Sequence, residues 1–200
     1  MRIREAARTD RGRDFTSLSH HVDEPRRLRD PFQRTSRRAA AGIDGVTWLE
    51  HGLQLEESLT DLSQRLRRGA FRAKAVKRAW MPKPDGRKRP IGVPVLEDKI
   101  VQRSVAEVLS AIDETGFKGF FDAIDHDLLL DLVGRRIGDP RVQRQLRKWL
   151  HAGVMEDGKV EHVDQGTPQG GSITPSSRTS TCTMYSTFGL TPGDGTPVAQ

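Results

Sequence analysis

Residues 65–103 carry thirteen Lys and Arg against Asp85, Glu97 and Asp98, and the run is interrupted by Phe71, Trp80, Pro82, Pro84 and Pro90. A single helix does not accommodate it, because proline lacks a backbone donor and clashes with the preceding turn. A hairpin does. Val76, Arg78 and Trp80 alternate with other residues, and Pro84-Asp85-Gly86 supplies turn chemistry, so a β-hairpin is expected over residues 75–93. Helical patterns bracket it. Leu55, Leu59, Leu62 and Leu66 fall at spacings of four, three and four, with Gly69 as a stop signal just beyond Arg67 and Arg68. Pro94 then opens a second helix whose broad apolar face is Leu96, Ile100, Val101, Val105, Val108, Leu109 and Ile112.

The flanks add both kinds of element. Residues 1–40 read as a helix-prone basic lead-in broken by Pro25 and Pro31, and Gly42-Ile43-Asp44-Gly45-Val46-Thr47 reads as a turn. Residues 117–121 read as a short aromatic strand, followed by a helix over residues 128–137 that Asp125 or Asp127 can cap. Pro140 begins another helix, with Val142, Leu146, Trp149 and Leu150, ending near Gly153, and residues 160–163 read as a strand. Interleaved helices and strands predict an α+β fold. Beyond Pro175 the chain is rich in Ser, Thr and Pro without periodicity and reads as a disordered tail.

Charge narrows the function classes. The chain has a formal net charge of +6 and a pI near 9.9. The first forty residues hold eleven Arg, residues 65–103 are the most basic part, and residues 173–200 carry only Arg178 and Asp194. A basic stripe of this density is the footprint expected of phosphate-backbone binding, although a solvated face would look the same. The apolar stretches are too short to cross a bilayer, no signal peptide is recognised, and the one cysteine, Cys182, excludes a disulfide framework and a zinc knuckle. The expectation is a cytoplasmic protein with a negatively charged partner and no membrane association.

Three further segments occur in a distinctive order. They are Met81-Pro82-Lys83-Pro84-Asp85-Gly86-Arg87-Lys88-Arg89-Pro90-Ile91-Gly92-Val93-Pro94, then Gly119-Phe120-Phe121-Asp122-Ala123-Ile124-Asp125-His126, then Gly166-Thr167-Pro168-Gln169-Gly170-Gly171-Ser172-Ile173. With the turn at residues 42–47, they resemble the reverse transcriptases encoded by bacterial group II introns, also called maturases, over about residues 4–174. The resemblance implies a right-hand polymerase in which fingers and palm grip template and primer, with Mg²⁺ in the intact family. It divides the chain into a basic helical lead-in (1–41), a fingers-like segment (42–115), a partial palm-like segment (116–174) and the tail (175–200). It also implies nucleotide-binding roles: Lys83 and Arg89 as cations on the incoming triphosphate, Phe121 under the sugar, and Gln169 against nucleotide or primer. General phosphate contact, core packing and a plain loop glutamine account for the same residues. Arg72, Lys74, Lys77, Arg78, Arg87 and Lys88 are the expected RNA-binding cations, with group II intron RNA, and DNA besides, as partners.

Two departures bear on activity. Palm aspartates of such polymerases hold two metals, because attacking and leaving oxygens both need charge stabilisation. The position expected for the first is Gly116, at what reads as an in-frame junction between the end of a fingers helix and Lys118-Gly119-Phe120-Phe121. After Ile173-Thr174-Pro175 the family's apolar palm helix and its later paired aspartates do not follow; under one permitted codon choice, residues 175–190 encode such a helix in another frame. The tail thus reads as frameshifted. Asp122, Asp125 and Asp127 read as structural, as do the six histidines, so no catalytic residue, metal site or cofactor is expected. The resulting expectation is a reverse transcriptase/maturase fragment without polymerase activity. The alternatives are a non-catalytic RNA-binding module built on the lead-in and hairpin, and a degenerate product without function.

Overall fold

A computed structural model describes residues 2–10, 12–82, 86–112, 126–156 and 158–161. In chain order it contains α1 (Arg2–Thr9), α2 (His20–Asp23), α3 (Pro25–Arg34), α4 (Trp48–Leu53), α5 (Leu55–Arg67), β1 (Val76–Pro82), β2 (Lys88–Val93), α6 (Leu96–Ile112), α7 (His126–Gly134), α8 (Pro140–Leu150), β3 (Val154–Glu156) and β4 (Lys159–Glu161). The fold is mixed α and β, as the interleaved patterns predict.

Helix α6 organises the helical part. The seven apolar positions read from its sequence are all buried, and α1, α2 and α3 pack along it. Leu28 and Phe32 of α3 and Leu59 and Leu62 of α5 enter the same core, as do Leu130 and Val133 of α7 and Val142 and Leu146 of α8. The lead-in is part of this body rather than a basic arm, since Ile3, Ala7, Phe15, Leu18 and Val22 are buried in it. Burial of such side chains is worth about 1.5–3 kcal/mol each and is the main force holding these helices together.

Local chemistry sets the helix ends. Thr47 caps α4 through a capping box: its hydroxyl accepts the Glu50 N–H at 3.3 Å, and Glu50 Oε2 accepts the Thr47 N–H at 2.8 Å. Helix α5 stops at Gly69 as expected. Gly69, at φ 71°, sends its N–H to Leu66 O, and the Ala70 N–H reaches Arg65 O, a Schellman closure. Gly42 is needed for a different reason: a Cβ there would lie 2.6 Å from the Val95 backbone, so only glycine lets this loop approach the start of α6.

Several expectations are corrected. Pro31 does not break the lead-in. Helix α3 runs through it, with Pro25 at its start, and ends at Arg34, where Thr35 Oγ1 donates to the Pro31 carbonyl at 2.9 Å. Pro31 is buried against the core, which offsets the backbone bond its nitrogen lacks. The helix expected over residues 128–137 spans His126–Gly134, so Asp127 lies in its first turn rather than before it. The strand expected over residues 160–163 is present as β4 (Lys159–Glu161), with 162 and 163 outside the described residues; the strand it pairs with, Val154–Glu156, is not among the expected elements, and the two close through Gly158 at φ 78°. The strand at 117–121, Asp122, Asp125, the glycine-rich segment 166–171 and the tail lie outside the described residues.

The four strands form one sheet in the order β2-β1-β3-β4. Strands β1 and β2 are antiparallel, with Arg78 opposite Gly92, Trp80 opposite Pro90 and Pro82 opposite Lys88; β3 joins β1 in parallel, Val76 opposite Val154. No helix of the described residues is long and apolar enough to cross a membrane.

Candidate nucleic-acid interface

The β1–β2 hairpin is rooted through the segment preceding it. Phe71 is buried in the helical core, and Lys148 of α8 donates to the Phe71 and Gly69 carbonyls, the latter at 2.9 Å. Three residues on, the Lys74 N–H donates to Asp98 Oδ2 at 3.0 Å, and Trp149 Nε1 donates to Asp98 Oδ1 at 3.0 Å. The Val76 N–H then reaches Gly153 O at 3.1 Å, where β1 meets β3. Asp98 is 1% exposed, and burial pushes its carboxyl up to about 6 against the pull of the Lys74 and Trp149 bonds. One buried carboxylate thereby ties the base of the hairpin to α6 and α8.

Beyond that root the cations divide into two groups. Those on α5 and α6 make contacts within the fold. Arg65 makes a bidentate pair with Glu97, at 2.6 and 3.1 Å, and a further contact to Asp61; together these hold its guanidinium above the ordinary range. Arg67 reaches Asp23 at 3.4 Å, Lys99 donates to Ala40 O at 2.6 Å and Arg103 to Arg34 O at 2.6 Å. In the lead-in, Arg29 pairs with Glu56, and Arg34 with Asp30 and Glu107.

The expected RNA-binding cations lie on the hairpin and its approach. Arg72, Lys77, Arg87 and Lys88 are exposed. Lys74 is exposed too but pairs with Asp44 at 3.3 Å, and Arg78 is half-buried and pairs with Glu156 at 2.9 Å. Of the four residues given nucleotide-binding roles, Lys83, Phe121 and Gln169 lie outside the described residues, and Arg89 occupies a β2 position opposite Met81. Pro82 and Lys88 stand opposite each other at the last described pair of this hairpin, next to the Met81–Arg89 pair.

Composition and motif reading missed the residues that hold this surface in place, Asp98, Lys148 and Glu156, and Asp139, which ties α8 to the lead-in. Asp139 caps α8 through the Arg141 and Val142 N–H groups and also accepts the Leu18 and Ser19 N–H groups at 2.6 and 2.7 Å. Burial raises its carboxyl, and the four backbone donors outweigh that and hold it below the ordinary range. Only the cap carried a signal, an Asp directly before Pro140. Among the described residues, no three His, Cys, Asp or Glu side chains come together to hold a metal ion.

No family model matches the chain. Individual proteins do. The chain is 28% identical to Protein YkfC of Escherichia coli over 174 residues, covering 67% of this chain and 46% of that protein. It is 28% identical to the group II intron-encoded protein LtrA of Lactococcus lactis over 156 residues, covering 60% of this chain and 26% of LtrA. An uncharacterized 91 kDa protein in the cob intron of Schizosaccharomyces pombe is 27% identical over 169 residues, covering 64% of this chain and 21% of its own length. The chain thus spans less than half the length of each of these relatives. The four ordered motifs and these relatives agree: the chain is similar to group II intron-encoded proteins.

Proposed function

We propose that this chain is an internally shortened relative of the group II intron reverse transcriptases that binds RNA through its fingers-like hairpin and has no polymerase activity. The observation that carries the RNA reading is the set of exposed cations Arg72, Lys77, Arg87 and Lys88 on a hairpin and the segment leading into it, rooted at Phe71, Lys74 and Val76. Cations carried on a sheet backbone bind phosphates without the backbone ordering cost of a flexible arm. In this reading Lys83 and Arg89 add to the same surface, Phe121 and Gln169 keep the roles the motifs give them, and the hairpin and helices form part of a right-hand fold. Group II intron RNA is the partner class.

The inactivity reading rests on Gly116 standing where a palm aspartate is expected. The comparisons support a shortened interior. The 174 residues aligned with YkfC exceed the 67% of a 200-residue chain that they occupy, so the relative carries residues inside the matched region without a counterpart here. The LtrA match has the same property, 156 aligned residues on 60% of this chain.

The test pairs two assays on the full chain. Template-dependent primer extension with Mg²⁺ is expected to give no product; robust DNA synthesis overturns the inactivity reading. RNA binding is expected to weaken with salt at a slope of log affinity on log salt of about −3 or steeper, since each phosphate contact contributes about 0.7–0.9. Absence of binding at low salt overturns the RNA reading. A far-ultraviolet circular dichroism melt with a cooperative transition separates a folded module from a degenerate product.

A further inference from the structure

The three tryptophans are placed very differently. Trp48 stacks on Phe32 with ring centroids 4.6 Å apart, lies under Arg37 and donates its indole N–H to Phe32 O at 3.0 Å. Trp149 is bound to Asp98. Trp80, in the middle of β1, is 53% exposed. Its one polar group is already used: Nε1 donates to Glu156 Oε1 at 3.1 Å, and Glu156 is itself held by Arg78 at 2.9 Å. What the exposed half of Trp80 offers to solvent is therefore apolar ring, fixed in position by a charged partner on the next strand.

Its surroundings are low and basic. By strand register Pro90 stands directly opposite Trp80, and Gly92, without a side chain, stands opposite Arg78 two residues away. The same face of the sheet carries Lys88, opposite Pro82, and Lys159, opposite Glu156, and both lysines are exposed. With Glu156 offset by Arg78, the excess charge on this face comes from the two lysines, and a pre-positioned aromatic ring flanked by them matches a nucleobase with its phosphates alongside. A second copy of the chain would bring the same positive charge and is disfavoured by it.

We propose that Trp80 is a stacking platform for a base of single-stranded RNA, with Lys88 and Lys159 on the flanking phosphates. This rests on the RNA-binding reading above and adds that the bound RNA is unpaired at the hairpin, because a base inside a duplex has no free face to stack on.

Labelled single-stranded oligoadenylate and oligouridylate, followed by fluorescence anisotropy, test it on the full chain. Trp80→Ala is expected to weaken binding roughly 5- to 150-fold, the range for loss of one base–aromatic stack. It leaves the salt slope unchanged, since no cation is removed. Trp80→Phe is expected to recover part of the affinity, and the emission difference between wild type and Trp80→Phe gives the signal of Trp80 itself, expected to be quenched by the oligonucleotide. Unchanged affinity in both variants, with salt-dependent binding intact, overturns the platform and leaves the RNA reading standing. No salt-dependent binding by the wild type overturns both. A concentration-dependent oligomer that Trp80→Ala abolishes, with RNA binding unaltered, assigns the surface to a second copy and also overturns the proposal. Should Trp80→Ala fail to fold, the quenching difference alone decides, and its absence counts against stacking.

Discussion

The Asp98 carboxyl offers the sharpest test of how the hairpin is rooted. Its acid form is favoured in the folded protein, where burial pushes the pKa from 3.8 to about 6. A group with a raised folded pKa contributes stability that is fully present below its unfolded value and lost as pH rises through the folded one. At about pH 7.5 the carboxyl is ionised in both states and contributes nothing; at about pH 5 its protonation shifts the folding equilibrium about tenfold towards the folded state, worth about 1.4 kcal/mol. The limit, reached only in acid well below the ordinary carboxyl range, is about 3 kcal/mol.

The perturbation is Asp98→Asn, which keeps the shape and removes the titration. Asn has one acceptor oxygen where Asp98 uses two, for the Lys74 and Trp149 N–H groups, so the variant loses one bond at every pH. That constant loss cancels when the wild-type-minus-variant difference at one pH is compared with the difference at another. Glu97 and Lys74, the charged neighbours that act on Asp98, are present in both proteins. Urea unfolding followed by tryptophan emission, at about pH 7.5 and about pH 5, should show wild type gaining about 1.4 kcal/mol on the variant as pH falls. A difference that stays constant across this range refutes a buried carboxylate with a raised pKa. A difference that moves the other way places Asp98 among carboxyls stabilised by their partners.

Two other side chains give expectations of known sign. Thr47→Ala removes the capping box at α4 and should cost about 1 kcal/mol in urea unfolding, with RNA binding unchanged because the hairpin is untouched. Asp139→Ala strips acceptors from the Leu18, Ser19, Arg141 and Val142 N–H groups and should cost about 2–3 kcal/mol, read by a thermal melt. Because the Asp139 carboxyl sits below its ordinary pKa, its stabilisation is present above that value and lost as pH falls through the lower folded one, so the variant's deficit should shrink in strong acid.

The elements that were legible share a physical property: their signals are local. The α6 stripe, the α5 leucines with Gly69, and the alternation along β1 all act within a few residues. Helix α4 also carried a local signal that was passed over, Thr47 followed at the third residue by Glu50. The hairpin of β3 and β4 was half legible. Gly158 after Asp157 between Glu156 and Lys159 is turn chemistry, but three-residue strands show too little alternation to place their ends. Pro31 misled because a proline's effect on a helix depends on what its ring buries against, here the core around Leu28 and Phe32.

The candidate site was less legible than the fold, and its charge shows why. In sequence, residues 65–103 look like one basic surface. In space the partners of its helical and half-buried cations come from distant segments: Asp23 for Arg67, Asp44 for Lys74, Glu156 for Arg78, Ala40 O for Lys99 and Arg34 O for Arg103. No local pattern carries that information. These contacts use positive charge to close the fold, and a cation already bound to a carboxylate or a carbonyl gains little from a phosphate. Net charge therefore overstates the binding surface. In the proposed RNA-binding reading, phosphate attraction falls to exposed cations such as Lys77 and Lys88, and affinity would depend on the root at Asp98 and Lys148 as much as on the number of positive charges.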